Sequence, residues 1–225
     1  MQLLDKFQDW WARRNAPAPQ RWVVVDVESS GLDTQHDRLL AIAAVGVHLD
    51  RGPYPVIVTG DSFEVVLRQD EAQARATTKS NILLHGIGVG AQRQGLEPAL
   101  ALQAFVQWLG DAPLLAYHSA FDEAMITRDL RAVLGQTLPN AWTDLAEVAA
   151  ALYPQAPKRS LDEWMEHFGI HCAQRHQAAA DVWATAEFLQ HLWPQVCCQL
   201  ARRDYAALAD LARQRRWLVA GEARF

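Results

Sequence analysis

The sequence predicts an α/β domain built around a mixed β-sheet. Three apolar runs rich in β-branched residues come early in the chain, and turn residues separate them, which indicates an antiparallel meander. Segments with helical periodicity dominate the later part, and a short apolar run lies between two of them. Early strands, later helices and one strand–helix–strand step together favour a mixed sheet with helices packed on it.

Each element follows from a local pattern. Asn15–Gln20 is a short Pro-rich linker, Ser160 and Glu163 fit a capping box, and Pro154 and Gly169 each end a helix. We place strands at 22–28, 39–49, 56–67 (interrupted at 59–61) and 112–117. We place helices at 3–14, 96–109, 120–134, 145–152, 161–168, 178–192 and 196–218, with an interruption at Pro194 between the last two. The resulting domains are an N-terminal helix and linker (1–20), a catalytic domain (21–195) and a C-terminal helical extension (196–225).

Composition limits the possible classes of function. The 225 residues suit one domain with additions, and the net charge of −5 argues against a strongly basic nucleic-acid binder. An enzyme whose acidic site is neutralised by metal stays compatible with that charge. The three cysteines form no C-x-x-C pair, and no stretch approaches the ~20 apolar residues of a membrane span. We therefore expect a cytoplasmic protein without a membrane partner.

Two carboxylates end the first strand. Side chains alternate between the two faces of a strand, so Asp26 and Glu28 project from the same face and Val27 from the other. Neighbouring carboxylates repel each other and are costly to desolvate. A bound divalent cation would remove both penalties, so the pair is a candidate metal site.

Further candidates lie after the fourth strand and before a later helix. Asp122 follows an apolar strand and opens a helix, where an acid is often only a cap, but adjacent strand ends could bring it to the same cation. Asp181 falls in the first turn of another helix, and His176 lies on the loop before it. A lone histidine is more often structural, yet its pKa near neutrality suits a general base for water.

The donor types indicate the metal. Four carboxylates without a Cys or His cluster suit Mg²⁺ or Mn²⁺ rather than zinc. Two such ions about 4 Å apart can hold the attacking and leaving oxygens of a phosphoryl displacement. His176 would then deprotonate the water.

From about Trp22 to Leu192, the chain resembles the DnaQ-like, or DEDDh, 3′–5′ exonucleases, whose motifs occur in it in the same order. The family's D-x-E-(T/S)-(T/S)-G-(L/M) motif corresponds to Asp26–Leu32, and its HGI element to His85–Ile87. The second motif corresponds to His118–Asp122, and the third, R-H-x-A-x-x-D, to Arg175–Asp181. Thr143-Asp144-Leu145 and Ser160-Leu161-Asp162 are similar to the T-D-x-L and S-L-D landmarks of the family. Each motif alone is weak, but the ordered set is specific.

The resemblance implies a ribonuclease-H-like fold with a five-stranded sheet of order 3-2-1-4-5 and an antiparallel second strand. It implies that Asp26, Glu28, Asp122 and Asp181 hold two Mg²⁺ or Mn²⁺ ions, with His176 as the general base. It also implies a substrate pocket in which Leu32 lies against the terminal base, His85 and Ile87 contact the terminal sugar, and Phe121 stacks at the second base. The residues assigned to that pocket are Ser29, Ser30, Gly31, Leu32, His85, Ile87, Ser119 and Phe121.

This chain departs from the family pattern at three places. Ser29-Ser30 replaces the commoner Thr-Thr, Ser119 replaces Asn, and Ala41 stands where many members have Glu. None of these removes an expected metal ligand. They therefore concern the fit of the substrate and not the hydrolytic chemistry.

The leading hypothesis is a metal-dependent 3′–5′ exonuclease that releases nucleoside monophosphates from single-stranded or frayed DNA, in proofreading or repair. The alternatives are an exoribonuclease of the same family and a non-catalytic module associated with a polymerase. The expected partners are a nucleic-acid 3′ end, DNA before RNA, and a DNA polymerase or a sliding clamp, since Gln2-Leu3 with Phe7 is similar to clamp-binding peptides. The terminal helices could also support a homodimer.

Overall fold

A computed structural model describes residues 20–156, 159–172 and 175–222 of the chain, with side chains up to residue 215. The predicted helix at 3–14 and most of the following linker lie outside these residues. The strands are β1 (Arg21–Ser29), β2 (Leu39–His48), β3 (Val56–Val66), β4 (Leu114–Ala116) and β5 (Trp142–Asp144). The helices are α1 (Glu71–Ala76), α2 (Lys79–His85), α3 (Val89–Gln94), α4 (Pro98–Leu109), α5 (Ala120–Leu134), α6 (Leu145–Leu152), α7 (Leu161–Phe168), α8 (Ala178–Gln199) and α9 (Tyr205–Glu222).

The five strands form one mixed sheet in the order β3-β2-β1-β4-β5. β2 is antiparallel to both β1 and β3, whereas β4 runs parallel to β1 and β5 runs parallel to β4. The predicted ribonuclease-H-like order and the antiparallel second strand are confirmed. β1 therefore lies at the centre of the sheet and is paired on both edges.

The alternation along β1 divides the core into two layers. Trp22 and Val24 are buried on the face that α8 covers, and Val23 and Val25 are buried on the opposite face against α4 and α5. Both layers are almost entirely apolar, which is typical of a strand that is covered on both sides. Asp26 continues the α8 side of this alternation, so the register of β1 determines where the carboxylates point.

Two predicted interruptions are wrong. β3 continues through residues 59–61, with an irregular register opposite 45–47, and α8 continues through Pro194 to Gln199. A proline removes one helical hydrogen bond, but the neighbouring Trp193 and Val196 are buried in the core and hold the helix together. The predicted boundary of the C-terminal extension at 195–196 therefore falls inside α8, and the domain division stays a prediction.

The segment between β3 and α4 contains three short helices. The polar residues 69–80 indicate a helix or an irregular excursion, and the structure has helices there, with the glycine-rich turn at 85–88 after them. Asp70 and Gln73 form a capping box at α1, Thr78 caps α2, and Gly86 ends α2 with a left-handed conformation at φ 74°. Among the described helices, none combines the length and the apolar character that are needed to cross a bilayer.

Candidate active site

Three carboxylates meet at the carboxyl end of β1. Asp26, Glu28 and Asp181 each offer an oxygen, and these oxygens all lie within 4.8 Å of one another. The alternation of β1 turns Asp26 and Glu28 to the side of the sheet that α8 covers, and Asp181 lies in the first turn of that helix. The sequence predicted the same-face pair, and the position of α8 brings the third carboxylate to it.

The start of α8 holds Asp181 in place. Its Oδ2 accepts a hydrogen bond of 2.9 Å from the main-chain N–H of His176, and its Oδ1 accepts one from Arg175 Nη1. Cys172 Sγ lies 3.8 Å from the same Oδ1. The carboxylate is only 6% exposed, so these donors replace the water that it lacks.

Asp122 lies beside this cluster and outside the set of three. It falls in the first turn of α5, and its Oδ1 accepts a hydrogen bond of 3.1 Å from the main-chain N–H of Val27. Val27 sits between the two carboxylates of β1, so the bond anchors Asp122 next to Asp26. The predicted four-carboxylate site is thus present as three converging groups and one adjacent group.

The electrostatics of the cluster favour a bound cation. Burial, then the neighbouring Asp181, raises the pKa of Asp26 to about 8, and burial with the charges of Asp26 and Asp181 raises the pKa of Glu28 to about 8. Burial and Asp26 raise the pKa of Asp122 well above its usual range. The guanidinium of Arg175 lowers the pKa of both Asp26 and Glu28. Without further positive charge, these groups cannot all be ionised at neutral pH.

A cavity of about 410 Å³ opens over the carboxylates. Among the described non-glycine residues, only His118 and His176 have positive φ angles, 60° and 62°, and both line this cavity. Such conformations are costly and often mark functional positions. The lining residues are Asp26, Val27, Glu28, Leu32, Tyr117, His118, Phe121, Asp122, Ser160, Leu161, Asp162, Arg175, His176 and Asp181.

Two residues of the predicted nucleotide pocket line the cavity, Leu32 and Phe121. Leu32 is 88% exposed, so its side chain is free to contact a ligand. The remaining six residues assigned to the pocket are outside the lining. They are Ser29, Ser30, Gly31, His85, Ile87 and Ser119.

The His85–Ile87 turn nevertheless lies close to the end of β1 and the start of α8. Asn81 Nδ2 on α2 donates a hydrogen bond of 3.2 Å to the carbonyl of Ser29, at the end of β1. A methyl group on Gly86 would come within 3.6 Å of Gln177 Nε2, one residue after His176. The turn is therefore held between the end of β1 and the start of α8.

Sequence reasoning gave no role in the site to seven of the lining residues, which are Val27, Tyr117, His118, Ser160, Leu161, Asp162 and Arg175. Arg175 Nε donates a hydrogen bond of 2.5 Å to Asp162 Oδ1, while Nη1 of the same guanidinium contacts Asp181. The sequence indicated a role for Arg175 only by its position next to His176, and for Asp162 only by its place in the S-L-D landmark. Neither signal shows that α7 and the start of α8 converge.

The donor set fits the expected metal. All the carboxylate donors supply oxygen, the donor atom that Mg²⁺ and Mn²⁺ prefer. The raised pKa values of Asp26 and Glu28 give a physical reason for the site to take up positive charge. Cys172 lies at the edge of the carboxylate cluster, where its sulfur makes a weak contact with Asp181. One sulfur atom is not the sulfur-rich ligand set of a structural zinc site.

The fold and the acidic cleft define a nuclease-like class of protein, and the chain belongs to the exonuclease family whose model, RNase_T, matches residues 23–189. The resemblance to the DnaQ-like exonucleases is thereby confirmed. The chain is 30% identical over 191 residues to a PolC-type DNA polymerase III of Clostridium perfringens, with 84% of this chain and 12% of that protein covered. It is 29% identical over 171 residues to the PolC-type polymerase III of Oceanobacillus iheyensis, with 76% and 11% covered. The chain thus spans only a small part of the length of these relatives.

Solved structures share the fold at low sequence identity. Exonuclease I of E. coli in complex with a dT13 oligonucleotide superposes with a TM-score of 0.64 at 17% identity, covering 80% of this chain and 42% of that one. Cell-death related nuclease 4 superposes with a TM-score of 0.65 at 14% identity, covering 78% and 64%. These similarities concern the fold, and the chemistry is argued from the residues of this chain.

Proposed function

We propose that this protein is a metal-dependent 3′–5′ exonuclease of the DEDDh type. It would hydrolyse the last phosphodiester bond of a single-stranded or frayed DNA 3′ end and release a nucleoside monophosphate. The observation that carries the proposal is the convergence of Asp26, Glu28 and Asp181 within 4.8 Å, with His176 lining the same cavity. A purely structural role would not require repelling, at least partly buried carboxylates next to an open cavity.

The residues divide the work of hydrolysis. Asp26, Glu28, Asp181 and Asp122 would hold two Mg²⁺ or Mn²⁺ ions, which would neutralise the phosphate and stabilise the developing charge. His176 would take a proton from the attacking water as the water oxygen bonds to phosphorus and the P–O3′ bond breaks. The leaving O3′ oxygen would take up a proton from the solvent and become the new 3′-hydroxyl. His176 bonds Asp181 through its main-chain N–H and not through its ring, so the imidazole can take part in this proton transfer.

The cavity also suits a chain end. Leu32 and Phe121 offer apolar surfaces on which bases can stack without regard to sequence. We therefore propose that the substrate is recognised through its sugar-phosphate backbone and its base faces. The structures that share the fold include complexes of exonuclease I with dT13 and dA16 oligonucleotides, and a zinc-bound form of its complex with single-stranded DNA.

Degradation of labelled oligonucleotides tests the proposal. A single strand labelled at its 5′ end should shorten stepwise from the 3′ end in Mg²⁺ and stay intact in EDTA. Asp26→Asn should abolish the activity, whereas Asp210→Asn on α9 should leave it unchanged. Digestion that starts at the 5′ end, or activity that survives Asp26→Asn, would refute the assignment.

The choice of substrate is tested in the same assay. Matched single-stranded DNA, single-stranded RNA and duplexes with a mismatched 3′ end should be degraded in the presence of Mg²⁺, with DNA faster than RNA. A strong preference for RNA would replace the DNA proposal with the exoribonuclease alternative. Tight binding without hydrolysis of any of them would favour the non-catalytic module.

We also propose a DNA polymerase as a partner, because the PolC-type relatives are polymerase III proteins of which this chain matches only a small part. The sliding clamp and a homodimer stay predictions from the terminal segments. Size-exclusion chromatography of the chain alone, and then with the polymerase or the clamp, distinguishes these partners.

A further inference from the structure

A chain of hydrogen bonds, fully buried only between Thr77 and Gln92, ends at the His85–Ile87 turn. Arg38 Nη2 donates to Thr77 Oγ1 at 3.0 Å, and Thr77 Oγ1 donates to Gln92 Oε1 at 3.0 Å. Gln92 Nε2 then donates to the carbonyl of Ile87 at 2.9 Å. Finally, the main-chain N–H of Ile87 donates to His85 Nδ1 at 2.9 Å. Residues that are far apart in sequence thus fix the geometry of one short turn.

The other end of this hydrogen-bond chain is the turn after β1. The main-chain N–H of Ser30 donates to the carbonyl of Arg38 at 2.9 Å, and the N–H of Arg38 donates to Ser30 Oγ at 2.9 Å. Arg38 is therefore bonded through its backbone to the Ser29–Gly31 turn and through its side chain to Thr77. The hydrogen-bond chain connects the two turns that the family resemblance assigns to the terminal nucleotide.

The two side chains in the middle of this hydrogen-bond chain, Thr77 and Gln92, are deeply buried. Gln92 has no exposed surface and Thr77 is almost fully buried. A buried amide or hydroxyl is costly unless it is hydrogen-bonded, and here both side chains use a donor and an acceptor within the chain. An apolar core would fill this space at lower cost, so the polar chain calls for a role besides packing.

This arrangement fixes the direction of one N–H group, that of His85 Nε2, which has no acceptor among the described residues. His85 is 2% exposed, and burial lowers its pKa, so the ring is neutral. Because Nδ1 accepts from Ile87, the proton of the neutral ring lies on Nε2. Nε2 is buried and has no hydrogen-bond partner among the residues that the structure describes. The hydrogen bond from Ile87 fixes this N–H group within the turn that the family resemblance assigns to the terminal nucleotide.

We propose that Arg38, Thr77 and Gln92 are positioning residues for the terminal nucleotide. They fix the separation between the Ser29–Gly31 turn and the His85–Ile87 turn, and they set the direction of the His85 donor. The proposal rests on the proposed exonuclease function, and it adds three residues that touch neither the carboxylates nor the cavity.

Steady-state kinetics on a single-stranded oligonucleotide test this role. Thr77→Val keeps the shape of the side chain but removes the hydroxyl, and Gln92→Leu removes the link to Ile87. Each should raise KM about tenfold, the equivalent of roughly one well-made hydrogen bond, with kcat within about twofold of the wild type. Thr77→Ser restores the hydroxyl and should restore KM.

Gln190→Leu is the matched control. Gln190 Nε2 also donates to a main-chain carbonyl, that of Pro55 at 2.7 Å, but on a part of α8 outside the cavity. Its loss should leave KM unchanged even if the melting temperature falls. Hydrogen exchange gives a readout that does not depend on turnover, because the Ile87 amide should exchange faster in Thr77→Val and Gln92→Leu than in Gln190→Leu.

The outcomes separate this inference from the proposed function. A wild-type protein that does not degrade oligonucleotides in Mg²⁺ overturns the exonuclease function and this role with it. An active wild type whose Thr77→Val and Gln92→Leu variants fold and keep the wild-type KM overturns only the positioning role. A fall in kcat at constant KM also overturns that role alone, because the variants would then act on the carboxylates.

Discussion

Arg175 and Asp181 form an ion pair inside the acidic cavity, and the carboxylate oxygen that Arg175 contacts is Oδ1, while Oδ2 accepts from the N–H of His176. Asp181 is also one of the three converging carboxylates. A guanidinium therefore supplies positive charge to the cluster that we propose binds metal ions. The second anchor of Arg175, on Asp162, lies towards the solvent, with the Asp162 side chain 62% exposed.

Removal of Arg175 should strengthen metal binding. Arg175→Gln keeps much of the side-chain volume but removes the charge that competes with a cation for Asp181. We expect the affinity for Mg²⁺ to rise about two- to fivefold, as calorimetry would measure, because a partly exposed ion pair is worth up to ~1 kcal/mol. Asp162→Asn should act in the opposite direction, since Arg175 would lose its alternative partner. Equal affinities in all three proteins would contradict the competition.

The stability of the metal-free protein should fall as the pH rises. Asp26 and Glu28 have pKa values raised to about 8 in the folded protein, against 3.8 and 4.5 for the free groups. Between these limits the folded state binds more protons than the unfolded state, so a higher pH favours unfolding. In EDTA, the melting temperature should decrease between about pH 5.5 and pH 8, the upper part of this window. Mg²⁺ should reduce this slope, and Asp26→Asn should reduce it without metal. A melting temperature that rises over this range in EDTA would disprove the assignment of these pKa values.

Loss of the His176 ring should affect turnover and not the binding of metal. His176→Ala removes the proposed general base but keeps the main-chain N–H that bonds Asp181. We expect kcat to fall by about 10²–10⁴-fold, the usual contribution of a general base, with an unchanged affinity for Mg²⁺. His191→Gln, an exposed histidine on α8, is the control and should keep the wild-type kcat. Full activity in His176→Ala would show that another group accepts the proton.

The hydroxyl of Tyr205 should stabilise the domain without contributing to hydrolysis. It accepts a hydrogen bond of 2.9 Å from Thr143 Oγ1 and donates one of 3.1 Å to the carbonyl of Leu114, which joins α9 to two strands. Tyr205→Phe removes both bonds from buried partners, so the free energy of unfolding should fall by about 1–2 kcal/mol in urea denaturation. Tyr54→Phe, at an exposed tyrosine, should change it little. An unchanged stability in Tyr205→Phe would mean that α9 is loosely attached.

The parts of the site that depend on a strand or on one helix turn were predictable. The period of two in β1 predicted that Asp26 and Glu28 share a face, and the apolar strand before Asp122 predicted its approach to them. The parts that depend on tertiary packing were not. Neither the bridge of Arg175 from Asp162 to Asp181 nor the buried position of Gln92 has a local signal, because each depends on segments that meet only in the folded chain.

Helix continuity shows the same limit. The sequence predicted a break at Pro194 because the proline lacks an N–H group. Burial of Trp193 and Val196 outweighs that loss, and burial is a property of the whole fold. A local rule therefore failed at a position where a long-range interaction was stronger.

The anchoring of Asp122 on Val27 has a consequence for how the protein folds. These two residues are 95 positions apart, and Asp181 comes from yet another helix on the opposite face of the sheet. The site can assemble only after distant loops have closed and both layers have docked, which makes it a late event with a high entropic cost. A divalent ion that binds only the finished arrangement would pull the folding equilibrium towards completion. Metal uptake would then report the fraction of molecules that have reached the native state.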